Sequence, residues 1–235
     1  SAAVRGSVSS AIPDGAGGWL IAGSFDSVGG QPRPNLARSN AAGSVPSQAA
    51  RIGVTPTVRV LAGALGGMGL ADGSGRRARF NLDNGLALDA QGHAIVADAG
   101  NRALRKVTPA GVVSTWVGPE GGWNFPSAVA LDGLGNAYVG DGWRIFKVGP
   151  DGNSVLWAGA SEPVFGMQDG TGSAATFGNI QAITSDAAGN LAVVDSQFNA
   201  LRLVSSTGVV SSLAGGSTQS GQLDGQGKAA RFQFP

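Results

Sequence analysis

The chain has 235 residues, of which 16 are basic and 15 acidic, 40 are Gly, 11 are Pro and none is Cys. The absence of Cys excludes disulfides, thiolate nucleophiles and zinc-thiolate centres, and the single His93 excludes any site built on two imidazoles. A net charge of +1 with only 13% charged residues leaves little with which to hold nucleic acid through its phosphates, so no nucleic-acid partner is expected. No run approaches the roughly 18 consecutive apolar residues of a membrane helix, so membrane insertion is not expected either.

The first 57 residues carry short apolar runs between turn residues, among them Trp19-Leu20-Ile21-Ala22 and Leu36-Ala37-Arg38. The segment from Pro46 to Pro56, rich in Ala, Gln, Ser and Pro, reads as a connecting loop. Beyond it the chain repeats itself. Leu61-Ala62-Gly63, Trp116-Val117-Gly118, Trp157-Ala158-Gly159 and Leu213-Ala214-Gly215 each close a short run, at spacings of 55, 41 and 56 residues, and each is followed by Phe, at 80, 125, 177 and 232. After the first three of these come an apolar run ending in Asp (Asp89, Asp132, Asp186), a Gly turn, a second run ending in Asp (Asp98, Asp141, Asp195), and two further runs. Four short runs without a helical period predict a four-stranded antiparallel meander, and its repetition predicts a propeller blade. The first run of each unit, almost wholly apolar, is expected to be the innermost strand. The loop beginning Asp72-Gly73-Ser74-Gly75, Asp169-Gly170-Thr171-Gly172 or Asp224-Gly225-Gln226-Gly227 is missing from the second unit and is expected to be a dispensable surface turn.

The series Asp72-Gly73-Ser74-Gly75, Ala78-Arg79-Phe80, Leu88-Asp89, Val96-Ala97-Asp98 with Asn101, and Leu104-Arg105-Lys106-Val107 resembles the NHL repeat, a propeller module, over about residues 58–235. Residues 1–57, with Gly18-Trp19-Leu20-Ile21-Ala22-Gly23 and Leu36-Ala37-Arg38, resemble one bacterial delta-60 repeat and its connecting loop. The resemblance implies a single all-β propeller domain of about four four-stranded antiparallel blades. The last residues, Phe232-Gln233-Phe234-Pro235, stand just before an inner strand, which implies either closure by a strand from the N-terminus or membership of a larger ring.

The recurring carboxylates Asp89, Asp132 and Asp186 are candidates for an axial cation such as calcium, and equally for turn caps. Asp72, Asp169 and Asp224, with Asp98, Asp141 and Asp195, read as structural turn residues, and no cofactor is expected. Glu occurs only at Glu120 and Glu162, and no nucleophile stands beside a plausible base. Trp123, Trp143 and Phe165 lie outside the predicted strands, where exposed aromatics offer a ligand-binding surface for sugar or protein. The same residues would serve equally as packing plugs.

The predominance of Gly, Ala and Ser over Lys points to a bacterial secreted or cell-surface protein. The function expected is a non-catalytic scaffold for a protein partner or for self-assembly. Two alternatives stand beside it, a carbohydrate-binding propeller and a metal-dependent lyase or lactonase, since enzymes of both kinds are built on this architecture.

Overall fold

The computed structural model describes residues 4–13, 19–28, 31–32, 36–39, 58–63, 67–164, 166–186, 188–216 and 220–235; up to residue 58 it describes the backbone alone. These residues form four antiparallel sheets. The first holds β1 (Val4–Pro13), β2 (Trp19–Val28), β3 (Gln31–Pro32), β4 (Leu36–Ser39) and β5 (Val58–Ala62), in the order β1-β2-β4-β5 with β3 beside β2. The second holds β6 (Gly73–Ser74), β7 (Asp83–Leu88), β8 (Ala94–Asp98), β9 (Ala103–Val107) and β10 (Val112–Val117), in the order β6-β10-β9-β8-β7.

The third sheet is a plain meander of β11 (Pro126–Leu131), β12 (Ala137–Asp141), β13 (Arg144–Val148) and β14 (Ser154–Ala158). The fourth repeats the second: β15 (Gly170–Thr171), β16 (Ile180–Ser185), β17 (Leu191–Asp195), β18 (Ala200–Val204) and β19 (Val209–Gly215), in the order β15-β19-β18-β17-β16. The fold is all-β, of the β-propeller class, with each sheet a blade. Its only described helices are single 3-10 turns.

The meanders of the second, third and fourth sheets turn the same way between their first two strands. Asp89, Asp132 and Asp186 accept the amide of a glycine three residues on, at 3.0, 3.2 and 3.1 Å, and those glycines, Gly92, Gly135 and Gly189, sit at φ of 77°, 84° and 79°. A side chain is strained at such a φ, so the turn selects Gly.

The chain divides into two compact units, residues 1–101 with 105–115, and residues 102–104 with 116–235. In the first, Leu61, Phe80, Leu86, Val96, Val107 and Val113 form the core. In the second, Tyr138, Ile145, Phe177, Ile180, Leu191 and Val204 do so, with Trp157 and Trp143 packed against them.

The second strand is the most buried of a blade: β8 and β12 are buried at every residue, whereas β16 exposes Gln181, Ala182 and Thr184. A second strand has a hydrogen-bonded neighbour on both sides, and a first strand ends its sheet. Burial corrects one expectation: the loops from Asp72 and Asp169 are not dispensable surface turns. Each adds a short strand to the outer edge of the blade that follows it, Gly73 and Ser74 pairing Val113 and Val112, and Gly170 and Thr171 pairing Val210 and Val209. Each also buries Ala78 and Phe80, or Ala175, Thr176 and Phe177, in the core.

Candidate functional site

The carboxylates that end the second strands hold the chain that enters the first. Asp98 accepts the Asn81 amide at 2.8 Å. Asp141 accepts those of Asn124 and Phe125 at 3.0 and 2.6 Å. Asp195 accepts those of Gly178 and Asn179 at 2.8 and 3.1 Å. Asp98 is also bound by the Asn101 side-chain amide at 2.8 Å. Burial raises its carboxyl above the ordinary range, and the bonds from Asn101, Asn81 and Arg105 offset only part of that rise.

Those lead-in segments also fix a register that the sequence obscures. Asn81, Asn124 and Gly178 stand at one position, so Trp123 is the counterpart of Phe80 and Phe177, and Phe125 lies two residues further on. Burial agrees: Phe80, Trp123 and Phe177 are 2%, 2% and 1% exposed, whereas Phe125 is 47% exposed.

Trp123 is therefore not an exposed platform, and that expectation is corrected. Its indole N–H donates to the Arg102 carbonyl at 2.7 Å, and its ring meets Phe146 edge-on at a centroid distance of 6.1 Å. In the unit that lacks the Asp-Gly loop, the indole stands where Phe80 and Phe177 stand elsewhere, and Phe146 holds the register that the arginine holds there.

Trp143 is half-buried. It donates to the Ala160 carbonyl at 3.1 Å and has the Arg144 guanidinium 5.3 Å from its ring centroid. With Pro163, Val164, Phe177, Gly178 and Gln197 it lines a shallow cavity of about 200 Å³, smaller than the roughly 300–1,000 Å³ of drug-sized pockets. Phe165 lies outside the described residues.

Asp89, Asp132 and Asp186 are each engaged within their own turn. Asp132 accepts the amides of Leu134 and Asn136 at 2.9 Å each and the Asn136 side chain at 2.7 Å. Asp186 is held in the same way by Ala188 and Asn190. Asp89 is held by Gln91 and by His93, whose ring nitrogen lies 2.8 Å from it, with Lys106 at 3.2 Å. Burial works against the charge on Asp132, and the Asn136 and Leu134 bonds outweigh it and hold the carboxyl below its usual range. Tyr138, which donates to Asp132 at 3.3 Å, is pushed up to about 12 by burial and by that charge. Among the described residues no group of three or more His, Asp or Glu side chains is arranged to hold a metal ion.

Arg105 and Arg202, on the third strands β9 and β18, were not singled out by the sequence reading. Both are 0% exposed. Arg105 donates to Asp98 and the Arg79 carbonyl through Nη1, at 2.9 and 2.8 Å, and to the Ala71 carbonyl and Asp72 through Nη2, at 3.0 and 2.8 Å. Arg202 donates to the Thr176 carbonyl through Nη1 at 3.1 Å, and to the Gln168 carbonyl and Asp169 through Nη2 at 3.1 and 2.8 Å. Their guanidinium carbons stand 5.0 and 5.1 Å from the Phe80 and Phe177 ring centroids. Thr115 and Ser212 complete the carboxylate shells of Asp72 and Asp169 at 2.9 Å each. The planar fork of arginine suits this set, since it reaches two carbonyls and a carboxylate at once. A signal for it exists in the sequence: the second unit lacks both the Asp-Gly loop and the arginine, having Phe146 in its place.

No family model matches the chain, and no curated protein matches it. Solved structures do. An auxiliary nutrient binding protein from Bacteroides ovatus matches at 16% identity with a TM-score of 0.68, covering 98% of this chain and 53% of its own. Another from Bacteroides thetaiotaomicron matches at 14% identity and a TM-score of 0.64, covering 99% and 52%. A protein described as a putative phosphatase, also from Bacteroides thetaiotaomicron, matches at 16% identity and a TM-score of 0.61, covering 100% and 54%. The chain thus spans about half the length of these structures, and at such identities the likeness is one of fold.

Proposed function

We propose that this chain is a non-catalytic binding module of NHL-like blades behind one delta-60-like blade, forming a single propeller domain. In this reading it serves a bacterial secreted or surface protein as a scaffold for protein interaction or assembly. The observation that carries the reading is the disposition of charge. Arg105, Arg202, Asp98, Asp141 and Asp195 are buried and committed to backbone groups or to one another. Chemistry needs an ionisable group free to act on a substrate, and these groups act on the fold. Exposed apolar side chains are available for contact, among them Met68, Leu134 and Phe234 at 79, 82 and 83% exposure. The half-length match to structures named for nutrient binding supports a binding role. Light-scattering mass across a concentration series tests the assembly part of the reading. A mass that climbs with concentration above 23.3 kDa is expected, and a constant 23.3 kDa would count against it.

A second reading rests on Trp143. With Pro163, Val164 and Gln197 it lines the shallow cavity described above, and an aromatic side chain at such a cavity is suited to packing on one sugar ring. Calorimetric titration with neutral oligosaccharides would support this reading if binding heat appears and vanishes in Trp143→Ala. Heat unchanged by that substitution would rule the cavity out.

A further inference from the structure

Three ten-residue loops of this chain, 71–80, 168–177 and 223–232, share Asp-Gly-x-Gly at their second to fifth positions and Phe at their tenth. They also share a fold. Each turns through one 3-10 turn, Gly75–Arg77, Gly172–Ala174 or Gly227–Ala229. Each is pinned by the amide of its ninth residue on the carbonyl of its first: Arg79 to Ala71 at 2.9 Å, Thr176 to Gln168 at 3.0 Å, and Arg231 to Leu223 at 2.9 Å. The first two loops each hold a guanidinium between the first carbonyl, the Asp, the ninth carbonyl and the Phe ring.

The third loop presents the same groups to an open cavity of about 900 Å³, lined by Ala214, Leu223, Asp224, Ala230, Arg231 and Phe232 among others. No described residue donates a hydrogen bond to the Asp224 carboxylate, and Asp224 is exposed. The Leu223 carbonyl accepts one bond and has a second lone pair to offer, as the Ala71 carbonyl does when it takes both Arg79 and Arg105.

We propose that Leu223–Phe232 is a guanidinium-binding half-site that receives an arginine from the third strand of a further blade joined behind Phe232. In both filled loops the arginine lies 25 residues after the loop's Phe, on the blade that the loop leads into. The four blades described here do not supply it. Arg105 and Arg202 are engaged in their own loops, and Phe146 holds the corresponding register in the third sheet. In the first sheet the register runs Leu36 to Ala62 and, after a shift, Ala37 to Val60; in the fourth it runs Leu201 to Ala214 and, after a shift, Arg202 to Ser212. Ala37 therefore occupies the arginine's position. A second copy of the chain would bring the same four blades, so it is not the occupant.

The test extends the chain. A copy of residues 178–216 is joined behind Phe232, which places a copy of Arg202 at the required distance, and thermal melting is followed. Asp224→Asn is expected to lower Tm of the extended chain by several degrees, Arg202→Met in the appended copy is expected to do the same, and the two together are expected to do no more than either. In the 235-residue chain Asp224→Asn is expected to leave Tm unchanged. Equal effects of Asp224→Asn on both chains, or additive effects of the two changes, would overturn the proposal. Should the extended chain not fold, amide shifts of Gly225 and Phe232 in the 235-residue protein can be followed on titration with N-acetyl-arginine amide. Saturable shifts, weakened at least about tenfold by Asp224→Asn and by replacing the probe with its lysine counterpart, are expected, since a charge-assisted bond is worth about one decade or more in affinity. Shifts indifferent to either change would overturn it.

Discussion

Arg105 and Asp98 meet at 2.9 Å with both side chains wholly out of solvent, and the same guanidinium reaches Asp72 in the loop before the blade. Removing one member of a buried pair strands the other, at a cost of about 3–5 kcal/mol. Arg105→Ala is expected to lose about that much in urea unfolding. Arg105→Lys keeps the charge but cannot fork, and is expected to be clearly less stable than the parent. A lysine variant as stable as the parent would show that charge alone suffices.

Acid should weaken the turns. Burial opposes the charge on Asp132, yet Asn136, Leu134 and Tyr138 hold its carboxyl below the ordinary value of 3.8; Asp72 and Asp169 are lowered likewise, against burial, by Thr115 and Arg105 or by Ser212 and Arg202. A lowered folded pKa gives stability that is present above the unfolded value and lost as pH falls through the folded one. Asp98 runs the other way, since burial raises it, and its contribution is lost as pH rises. Asp132→Ala is therefore expected to lower stability by about 1 kcal/mol at pH 7. The gap should narrow steadily below pH 4, read as chemical denaturation midpoints at both pH values. A gap that stays constant into acid would show that the ionised carboxylate is not what holds the turn.

Trp123→Ala is expected to cost about 3–5 kcal/mol, the usual range for emptying a buried aromatic site. Trp123→Phe should cost less, because Phe80 and Phe177 fill the equivalent position. Neither change should alter ligand binding by the folded protein. A variant that folds normally yet loses a ligand would return Trp123 to the list of binding residues.

Gly159 sits at φ 95°, and a Cβ there would press on the Trp143 carbonyl. Gly159→Ala is expected to destabilise by more than about 1 kcal/mol, the range in which φ strain exceeds any entropic gain. It should also shift Trp143 fluorescence. An unchanged melting curve would mean that this crossing is looser than described.

The blades were legible because their signals are local: Asp-x-x-Gly turns, short apolar runs, and a period long enough to count. The site residues were less so, because burial depends on what comes from elsewhere in the chain. Trp123 looked exposed since Phe125 offered a false register partner, and only the amides held by Asp98, Asp141 and Asp195 set the alignment right. Arg105 and Arg202 carry no local signal of burial. Their partners lie 33 residues away in loops that composition marks as polar. Their joint absence with the loop from the second unit was the one readable trace.

The most direct measurement is a double-mutant cycle at Arg202 and Asp169, because the buried arginines of the second and fourth sheets are held to clamp each of those two blades to its preceding loop. Arg202→Met, Asp169→Asn and the pair should be non-additive by at least about 1 kcal/mol, within the range for groups in one network. Additivity within about 0.5 kcal/mol would contradict the clamp and reopen these charges to another role.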